Sequence, residues 1–220
     1  MKNVVITGAS RGIGLSLSKQ YQQQGYQVYA TCRHSSSELE NLGVNIIEGI
    51  DVASAEAVKN LAQALSDTKI DLLINNAGVL KNEVLARIDF DSIQAQIEVN
   101  AYGPLRVTEA LQNNLSHNAK VAMITSRMGS IADNTSGGRY GYRMSKAALN
   151  IASVSIAHDL AHKGIAVGIF HPGLVGTEMI GGYGDITPDQ AASRISERID
   201  DLTLSNSGGF WHSNGEQLPW

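Results

Sequence analysis

The sequence has little cysteine, proline or aromatic content: one Cys, four Pro and 5% Phe, Trp and Tyr in 220 residues. The lone Cys32 excludes an internal disulfide, and because MKNVVITGAS has no secretory core we expect a cytoplasmic protein. The 17 Lys and Arg do not outnumber the 21 Asp and Glu, so no nucleic-acid partner is expected. No apolar run reaches the ~18 residues of a membrane span, so no membrane partner is expected either.

Glycine and short apolar runs are what the sequence does contain. It has 22 glycines and 43% apolar residues, and six apolar runs alternate with amphipathic stretches. Most runs are continuously apolar, which is typical of strands covered by helices on both faces. We therefore predict a single α/β domain over residues 1–220, with a doubly wound, mostly parallel sheet and a further strand in the tail 208–220. The runs are Asn3–Thr7, Tyr26–Thr31, Val44–Glu48, Ile70–Ile74, Val121–Thr125 and Ile165–Phe170.

The amphipathic stretches predict helices with one apolar face each. A helix start is indicated at Thr187-Pro188-Asp189, where an N-cap residue precedes a first-turn proline. Asn100 continues an apolar face just before Gly103-Pro104, which we expect to disrupt the helix. A buried asparagine must be hydrogen-bonded, and either a structural or a functional role fits it. The apolar faces comprise Ile13, Leu17 and Tyr21; Phe90, Ile93 and Ile97; and Leu149, Ile156 and Leu160.

Small, polar and turn-forming residues follow each predicted strand. In a parallel sheet the carboxyl ends of the strands share one edge, which is where ligands bind. Gly8, Gly12 and Gly14 follow the first strand and open a helix. Glycines in this context let a diphosphate reach backbone N–H groups at the positive end of the helix. The spacing Gly-x-x-x-Gly-x-Gly therefore predicts a dinucleotide site, with a plain strand-to-helix turn as the alternative.

Two arginines bear on which dinucleotide would bind. Arg33 ends the second strand, where the adenosine ribose of a dinucleotide lies in this kind of sheet. An arginine there suits the 2′-phosphate of NADP, whereas an acid would suit the free hydroxyl of NAD, and no acid occurs from Tyr26 to Ser37. Arg11 would add a second positive charge near the same phosphate. NADP is therefore favoured over NAD, with a merely solvated surface arginine as the alternative reading of Arg33.

Tyr142 and Lys146 lie four residues apart, on one face of a predicted helix. A free phenol, with a pKa near ~10, exchanges protons poorly at neutral pH. A nearby ammonium favours the phenolate, so we expect Lys146 to lower the pKa of Tyr142 enough for acid–base catalysis. The same spacing also arises by accident in many helices, and Tyr140, two residues earlier, has no such lysine partner.

Taken in order, these residues resemble the short-chain dehydrogenase/reductase family across nearly the whole chain. The stretch Gly129–Asn150 and the closing LPW are similar to the small C-factor-like and sniffer-like carbonyl reductases. The resemblance implies a Rossmann-type sheet of about seven strands and hydride transfer between a nicotinamide and a carbonyl or alcohol carbon. The matching motifs are TGASRGIG (Thr7–Gly14), NNAG (Asn75–Gly78), Asn100, Ser126, YRMSK (Tyr142–Lys146) and PGLVGT (Pro172–Thr177).

The resemblance also implies a role for each matching residue, and no metal. Tyr142 would protonate the carbonyl oxygen, while Lys146 would lower the pKa of that phenol and hold the nicotinamide ribose. Ser126 would hydrogen-bond the substrate oxygen, and Asn100 would keep a water in line with Lys146. The implied NADP-binding residues, besides Tyr142 and Lys146, are Gly8, Ser10, Gly12, Ile13 and Gly14 at the diphosphate; Arg11 and Arg33 at the 2′-phosphate; Asp51 and Val52 at the adenine; Asn76, Ala77 and Gly78 on the adenosine side; and Pro172, Gly173, Val175 and Thr177 at the nicotinamide end.

Three features depart from the family pattern. Ser126 and Tyr142 are 16 residues apart, a longer interval than is common, so the loop between them should bulge over the site and Ser130 competes for the serine role. Arg127 occupies a position where small residues are usual, and it either reaches a substrate anion or lies in solvent. The segment 176–187 is short and glycine-rich, which predicts an open pocket and broad acceptance of small aldehydes or ketones.

The leading hypothesis is an NADPH-dependent carbonyl reductase with a small-molecule carbonyl or alcohol substrate. The main alternative is a dinucleotide-binding signalling protein of C-factor type with incidental turnover, although binding alone needs none of the acid–base residues. A sugar-nucleotide epimerase is disfavoured because only about 50 residues follow the sixth strand. Helices 90–115 and 141–162 are where members of the family form dimers or tetramers, so a homodimer or homotetramer is expected, with a monomer as the alternative if the longer loop before Tyr142 blocks association. Leu105, Leu149 and Ile156 would suit either such an interface or the core.

Overall fold

A sheet of seven strands forms the centre of the structure, a computed structural model that describes residues 1–220. The strands are β1 Asn3–Thr7, β2 Gln27–Thr31, β3 Asn45–Ile47, β4 Ile70–Asn75, β5 Leu115–Ile124, β6 Ala166–His171 and β7 Phe210–His212. Their order is β3-β2-β1-β4-β5-β6-β7, and every neighbouring pair is parallel. The prediction of a doubly wound parallel sheet is therefore confirmed, including the strand in the tail.

Helices cover both faces of this sheet. They are α1 Gly12–Gln23, α2 Ser37–Glu40, α3 Ala55–Ala64, α4 Phe90–Ile97, α5 Gly103–Leu111, α6 Tyr140–Ala161 and α7 Pro188–Asp200. One apolar cluster joins α3, α5 and α6 to the sheet and contains Val5; a second joins α1 and α7 to the other face and contains Ile6. Adjacent residues of β1 enter opposite clusters because successive strand side chains point to opposite faces. This explains why the strands are continuously apolar.

Most predicted boundaries lie within two residues of the observed ones. The exception is β5, which begins at Leu115 rather than Val121, with a register shift against β4 between Ile70 and Leu72. The predicted start of α7 is confirmed: Thr187 and Gln190 form a reciprocal capping box, with the proline in the first turn.

The helix around Asn100 differs from the prediction. Gly103-Pro104 does not end it, because a π-helical turn over Glu98–Tyr102 leads directly from α4 into α5. Pro104 lies in the first turn of α5, directly after the π-helical turn, so the helix accommodates the proline at the point where its hydrogen-bond pattern changes. Phe90 is 76% exposed at the start of α4 and so is not part of the apolar face, whereas Ile93 is buried as expected.

Three further features complete the framework. Leu149 and Ile156 are buried in the core, so of the three residues considered for an interface only Leu105, 43% exposed, reaches the surface. None of the helices combines the length and the apolar character that crossing a membrane requires. The chain order reverses between β1 and β4, and in such sheets the crevice at that reversal is the place for a ligand.

Candidate active site

The glycine turn after β1 is shaped for close backbone approach. Gly8 and Gly12 have left-handed φ angles of 67° and 55°, which residues with a side chain rarely adopt. A Cβ on Gly8 would lie 2.8 Å from the Ala77 Cα, and one on Gly14 would overlap the Gly8 carbonyl oxygen. No side chain caps the N-terminus of α1. The turn therefore requires glycine and leaves the N–H groups of the helix start available to an anion.

The loop after β4 is fastened to this turn. The Thr7 hydroxyl oxygen accepts hydrogen bonds from the backbone N–H groups of Asn76 and Ala77 at 3.0 and 3.1 Å. The Asn76 side-chain amide in turn donates to the carbonyl oxygens of Thr7 and Gly8 at 3.0 and 3.2 Å. The predicted residues Asn76 and Ala77 thus lie directly against the glycine turn.

The segment after β6 reaches the same edge. A Cβ on Gly12 would lie 3.4 Å from the Thr177 methyl group, so Pro172–Thr177 ends beside the glycine turn. Within this segment Gly173 has a φ of 96°, and Val175 is buried. The predicted nicotinamide-end residues and the predicted diphosphate-end residues are therefore neighbours in space.

At the predicted adenosine end, Asp51 and Val52 follow β3, and the Asp51 carboxylate accepts the Ala53 N–H at 2.9 Å. Arg33 is exposed at the end of β2, and its side chain makes no hydrogen bond or ion pair. Glu48 was not considered from the sequence, yet its carboxylate accepts a hydrogen bond from the Ser35 N–H. The acid that follows β3 therefore lies beside the segment after β2, although β2 itself has none.

Arg11 has a partner that the sequence did not suggest. Its Nη1 lies 3.1 Å from the Glu178 carboxylate, and both side chains are exposed. This ion pair joins the glycine turn to the segment 176–187, and exposed pairs of this kind add little stability. Ser10 contacts the start of α2 through its carbonyl oxygen, which accepts the Ser36 hydroxyl at 2.7 Å, and Ile13 is half-buried in α1.

Tyr142 lies in the first turn of α6 and is 9% exposed. Burial raises the pKa of Tyr142 above its ordinary value, while the Ser126 hydroxyl and the Arg139 guanidinium oppose this increase. Lys146 is not among these influences on the pKa of Tyr142. The expectation that Lys146 makes the phenol acidic is therefore wrong for this structure, because burial outweighs the nearby charges.

Lys146 is buried on the same face of α6 as Tyr142. Its Nζ donates to the Ile124 carbonyl oxygen at 2.9 Å and lies 5.8 Å from the centre of the Tyr142 ring. Burial lowers the pKa of Lys146 to about 8, because the ammonium loses water without gaining a carboxylate. The amine thus titrates closer to neutral pH than an ordinary lysine.

Asn100 lies fully buried in the π-helical turn. Its amide nitrogen donates to the Val79 carbonyl at 2.8 Å and to the Ser145 hydroxyl at 3.0 Å, and its oxygen accepts the Val79 N–H at 2.8 Å. A Cβ on Gly78 would lie 3.3 Å from that oxygen and 3.8 Å from the Lys146 Nζ. Asn100 therefore joins the loop after β4 to α6 next to the lysine.

The long loop before α6 begins at Ser126, directly after β5. The Ser126 hydroxyl accepts the Met128 N–H at 3.1 Å, whereas the hydroxyl of the competing Ser130 accepts the Asp133 N–H at 3.1 Å. Ser126 influences the pKa of Tyr142 and Ser130 does not, which favours Ser126 for the serine role. Arg127 pairs with Asp133 at 2.6 Å and so is neither free in solvent nor an unpaired charge.

Glu83 is a buried carboxylate, 3% exposed, that sequence reasoning missed. Its Oε2 accepts the Gly141 N–H at 3.1 Å, and its Oε1 accepts from the Gln96 amide at 2.6 Å and the Ser92 hydroxyl at 2.9 Å. The positive end of α6 stabilises this charge. Glu83 thus anchors the helix that carries Tyr142, and no local signal reveals it because the contact spans 58 residues.

His171 ends β6, and it too was not singled out from the sequence. Its ring meets that of His212 edge to face with centroids 4.8 Å apart, and its buried Nδ1 has no hydrogen-bond partner. Burial, reinforced by His212 and Arg127, lowers the pKa of His171 to about 3. His171 is therefore neutral at physiological pH.

The sheet order and the glycine turn define a Rossmann-type α/β protein. The sequence profile of the family described as short chain dehydrogenase matches residues 2–185, and the chain belongs to this family. The 1-hydroxy-2-glutathionyl-2-methyl-3-butene dehydrogenase of Rhodococcus sp. (strain AD45) is 42% identical over 226 residues, covering 100% of both chains. The C-signal of Myxococcus xanthus is 42% identical over 154 residues, covering 69% of this chain and 93% of that one.

Solved structures with the same fold support this membership. The carbonyl reductase Sniffer of D. melanogaster superimposes with a TM-score of 0.92 and 29% identity, covering 100% of both chains. The NADPH-bound carbonyl reductase from chicken fatty liver superimposes with a TM-score of 0.88 and 27% identity, covering 100% of this chain and 99% of that one. The resemblance to the family stated from the motifs is therefore confirmed, and its carbonyl reductases are among the similar structures.

Proposed function

We propose that the chain is an NADPH-dependent carbonyl reductase that reduces a small aldehyde or ketone to the alcohol. The observation that carries the proposal is the burial of Tyr142, Ser126 and Lys146 at the sheet edge that also holds the glycine turn. The names of the similar solved structures support carbonyl reduction, and one of them is NADPH bound. The name of the Rhodococcus relative, a dehydrogenase of a 1-hydroxy compound, supports chemistry at an alcohol carbon.

NADP is the dinucleotide that the residues fit best. The glycine turn and the uncapped start of α1 would hold the diphosphate, and Arg33, whose guanidinium has no partner, would hold the 2′-phosphate. Asp51 and Val52 would line the adenine end, and Pro172–Thr177 the nicotinamide end. When bound, NADPH supplies the hydride that reduces the carbonyl carbon.

The acid–base work falls to residues of α6 and the turn after β5. Tyr142 would donate its phenolic proton to the carbonyl oxygen, and its raised pKa keeps that proton in place at neutral pH. The Ser126 hydroxyl would donate a hydrogen bond to the same oxygen as negative charge develops on it. Lys146, with a pKa of about 8, is mostly protonated at neutral pH and would return a proton towards the phenol.

The segment over the substrate side supports a broad choice of small carbonyl compounds. It is held at its base by a bridge between Val175 and Ile186, and Gly181 and Gly182 both have left-handed φ angles. Tyr183 is 81% exposed, so it does not fill the space below. Such a cover constrains substrate shape weakly.

The decisive experiment replaces Tyr142 by Phe, with Tyr140→Phe on the same helix as the matched control. In Tyr142→Phe we expect kcat for a panel of small aldehydes and ketones to fall by about 10²- to 10⁴-fold, because the proton donor is lost. NADPH binding, measured by fluorescence titration, should change little. Tyr140→Phe should keep both properties. Wild-type turnover in Tyr142→Phe would overturn the proposal.

The similarity to C-signal favours a second candidate, a dinucleotide-binding signalling protein with incidental turnover. The same variant separates the two functions. A signalling protein would keep its biological effect when Tyr142→Phe abolishes turnover, whereas the effect of a reductase would disappear with its activity.

A further inference from the structure

Arg139 has an unusual backbone conformation three residues before Tyr142. It is the residue before α6, with φ 51° and ψ 45°, and the only other non-glycine residue with positive φ is Asn118. Asparagine tolerates this backbone conformation, but a residue with a long side chain adopts it only where the surrounding structure holds it there. Here the Arg139 N–H donates to the carbonyl oxygen of the buried Glu83 at 3.0 Å. This hydrogen bond therefore holds the Arg139 backbone in a left-handed conformation that an arginine rarely adopts.

The Arg139 guanidinium spans two loops that flank the candidate active site. Its Nε donates to the Asn82 side-chain oxygen at 3.0 Å, on the loop that follows β4. Its Nη1 lies 3.7 Å from the Met128 sulfur, in the turn that follows Ser126. Its positive charge lowers the pKa of Tyr142 against the effect of burial. The guanidinium is thus oriented by neutral partners and lies within electrostatic reach of the phenol.

No acid neutralises this guanidinium, although acids lie nearby. Asp133, on the same loop, pairs with Arg127 at 2.6 Å, and no carboxylate oxygen lies within ion-pair distance of Arg139. The Glu83 carboxylate is buried and binds the Gly141 N–H. Arg139 is exposed and retains N–H donors without a protein partner. A planar guanidinium held in this way is suited to bind a carboxylate.

We propose that Arg139 is a substrate-binding residue that selects carbonyl compounds bearing a carboxylate near the carbonyl group. This deepens the proposed reductase function and rests on it for the identity of the reacting group. The neutral contacts with Asn82 and Met128 hold the guanidinium without consuming its charge. Arg127, already paired with Asp133, contributes little to the selection.

The test compares keto acids with their methyl esters, using pyruvate, acetoacetate and levulinate, so that the carboxylate lies progressively further from the carbonyl. In Arg139→Gln we expect kcat/KM for the preferred acid to fall by about 10- to 100-fold, the usual effect of losing a charge-assisted hydrogen bond. For the matching ester the change should stay within about threefold. Arg139→Lys should recover part of the loss, and Arg127→Gln should leave the acid-to-ester ratio nearly unchanged.

Two kinetic results would overturn the assignment. An equal loss for acid and ester in Arg139→Gln would mean that the arginine acts through Tyr142 rather than on the substrate. A larger change of the ratio in Arg127→Gln would move the anion contact to that residue.

Binding of the acids and esters to the NADPH complex, followed by the fluorescence of Trp211 and Trp220, separates this proposal from the reductase function. Tighter binding of an acid than of its ester, lost in Arg139→Gln, would support the anion site even if the wild type reduced none of these compounds. Equal binding of acid and ester by the wild type would reject it.

Discussion

The two sides of the sheet's carboxyl edge are built in different ways. On the side of β1 and β4, the glycine turn and the Asn76–Gly78 loop meet through backbone atoms, with Thr7 and Asn76 as the fasteners. On the side of β5 to β7, the surface consists of side chains from separate segments, among them the Arg127–Asp133 pair and the His171–His212 contact.

This difference explains what each side can do. A backbone cradle binds groups common to every dinucleotide and tolerates few changes at its glycines. A surface of charged and aromatic side chains on loops can be altered residue by residue, and under the proposed function it is where substrate choice would be made. We therefore expect substitutions on the first side to affect folding and cofactor binding together. Substitutions on the second side should affect pH dependence or selectivity.

The largest effect is expected for Gly8→Ala on the backbone side. The new Cβ would require a left-handed alanine and would lie 2.8 Å from the Ala77 Cα. We expect the free energy of unfolding to fall by about 2–4 kcal/mol, combining the left-handed strain with overpacking. NADPH affinity should fall by about 100-fold or more, since the displaced turn no longer presents its N–H groups. Urea unfolding and fluorescence titration measure the two effects.

Gly43→Ala is the matched control for this variant. Gly43 has nearly the same φ, 66° against 67°, but nothing lies within 4 Å of its added Cβ. It should lose about 1 kcal/mol of stability and keep its NADPH affinity. If both variants lost the same stability and the same NADPH affinity, left-handed strain alone would account for the loss. The close packing of the glycine turn against Ala77 would then not explain the effect of Gly8→Ala.

The same difference decides what sequence reasoning could reach. The glycine turn and the Tyr142–Lys146 pair were predicted because their spacing is local and their backbone context is a strand end or one helix face. Arg139, Glu83 and Glu48 were not, since their significance depends on partners brought close by the fold. Glu83, for example, meets Gly141 across 58 residues.

The incorrect predictions have the same physical origin. Phe90 follows the helical period, but it lies in the first turn of α4, where it stays 76% exposed. The pKa of Tyr142 follows its burial rather than its lysine neighbour. Burial of an individual side chain is a tertiary property, which a periodic pattern indicates only on average.

An intermediate effect is expected on the side-chain side, from the titration of His171. Its pKa of about 3 in the folded protein lies below the ordinary 6.5, so the unfolded chain binds the proton first as the pH falls. Stability is therefore complete above about pH 6.5 and decreases towards pH 3, by about 2 kcal/mol between pH 6.5 and 5 for a shift of this size. His171→Phe, which keeps a buried ring, should remove this part of the pH dependence in urea unfolding.

His158→Phe provides the comparison, because His158 is exposed on α6. It should retain the wild-type dependence of the free energy of unfolding on pH. If His171→Phe also retained it, the acid-sensitive group would lie elsewhere, and His171 would not be the buried neutral histidine that its missing hydrogen-bond partner implies.

A smaller effect is expected for Arg33→Ala, which examines a point on the backbone side where side chains should decide specificity. We expect the preference for NADPH over NADH, as a ratio of kcat/KM, to fall by about tenfold, because an exposed guanidinium contributes less than a buried one. Arg11→Ala should change this preference less, since the Arg11 guanidinium is already paired with the Glu178 carboxylate. Lys2→Ala, which removes one positive charge at the opposite end of β1, should leave the ratio unchanged.

Glu48→Gln sharpens the same measurement. Its carboxylate accepts the Ser35 N–H beside the end of β2, so it would repel a 2′-phosphate that Arg33 would attract. In Glu48→Gln the preference for NADPH over NADH should be a few-fold higher than in the wild type. This change is opposite in direction to the one expected for Arg33→Ala. An unchanged ratio in both variants would mean that neither charge faces the 2′-position. Only backbone groups would then bind the adenosine part of the dinucleotide, as is expected for the diphosphate on the same side of the sheet.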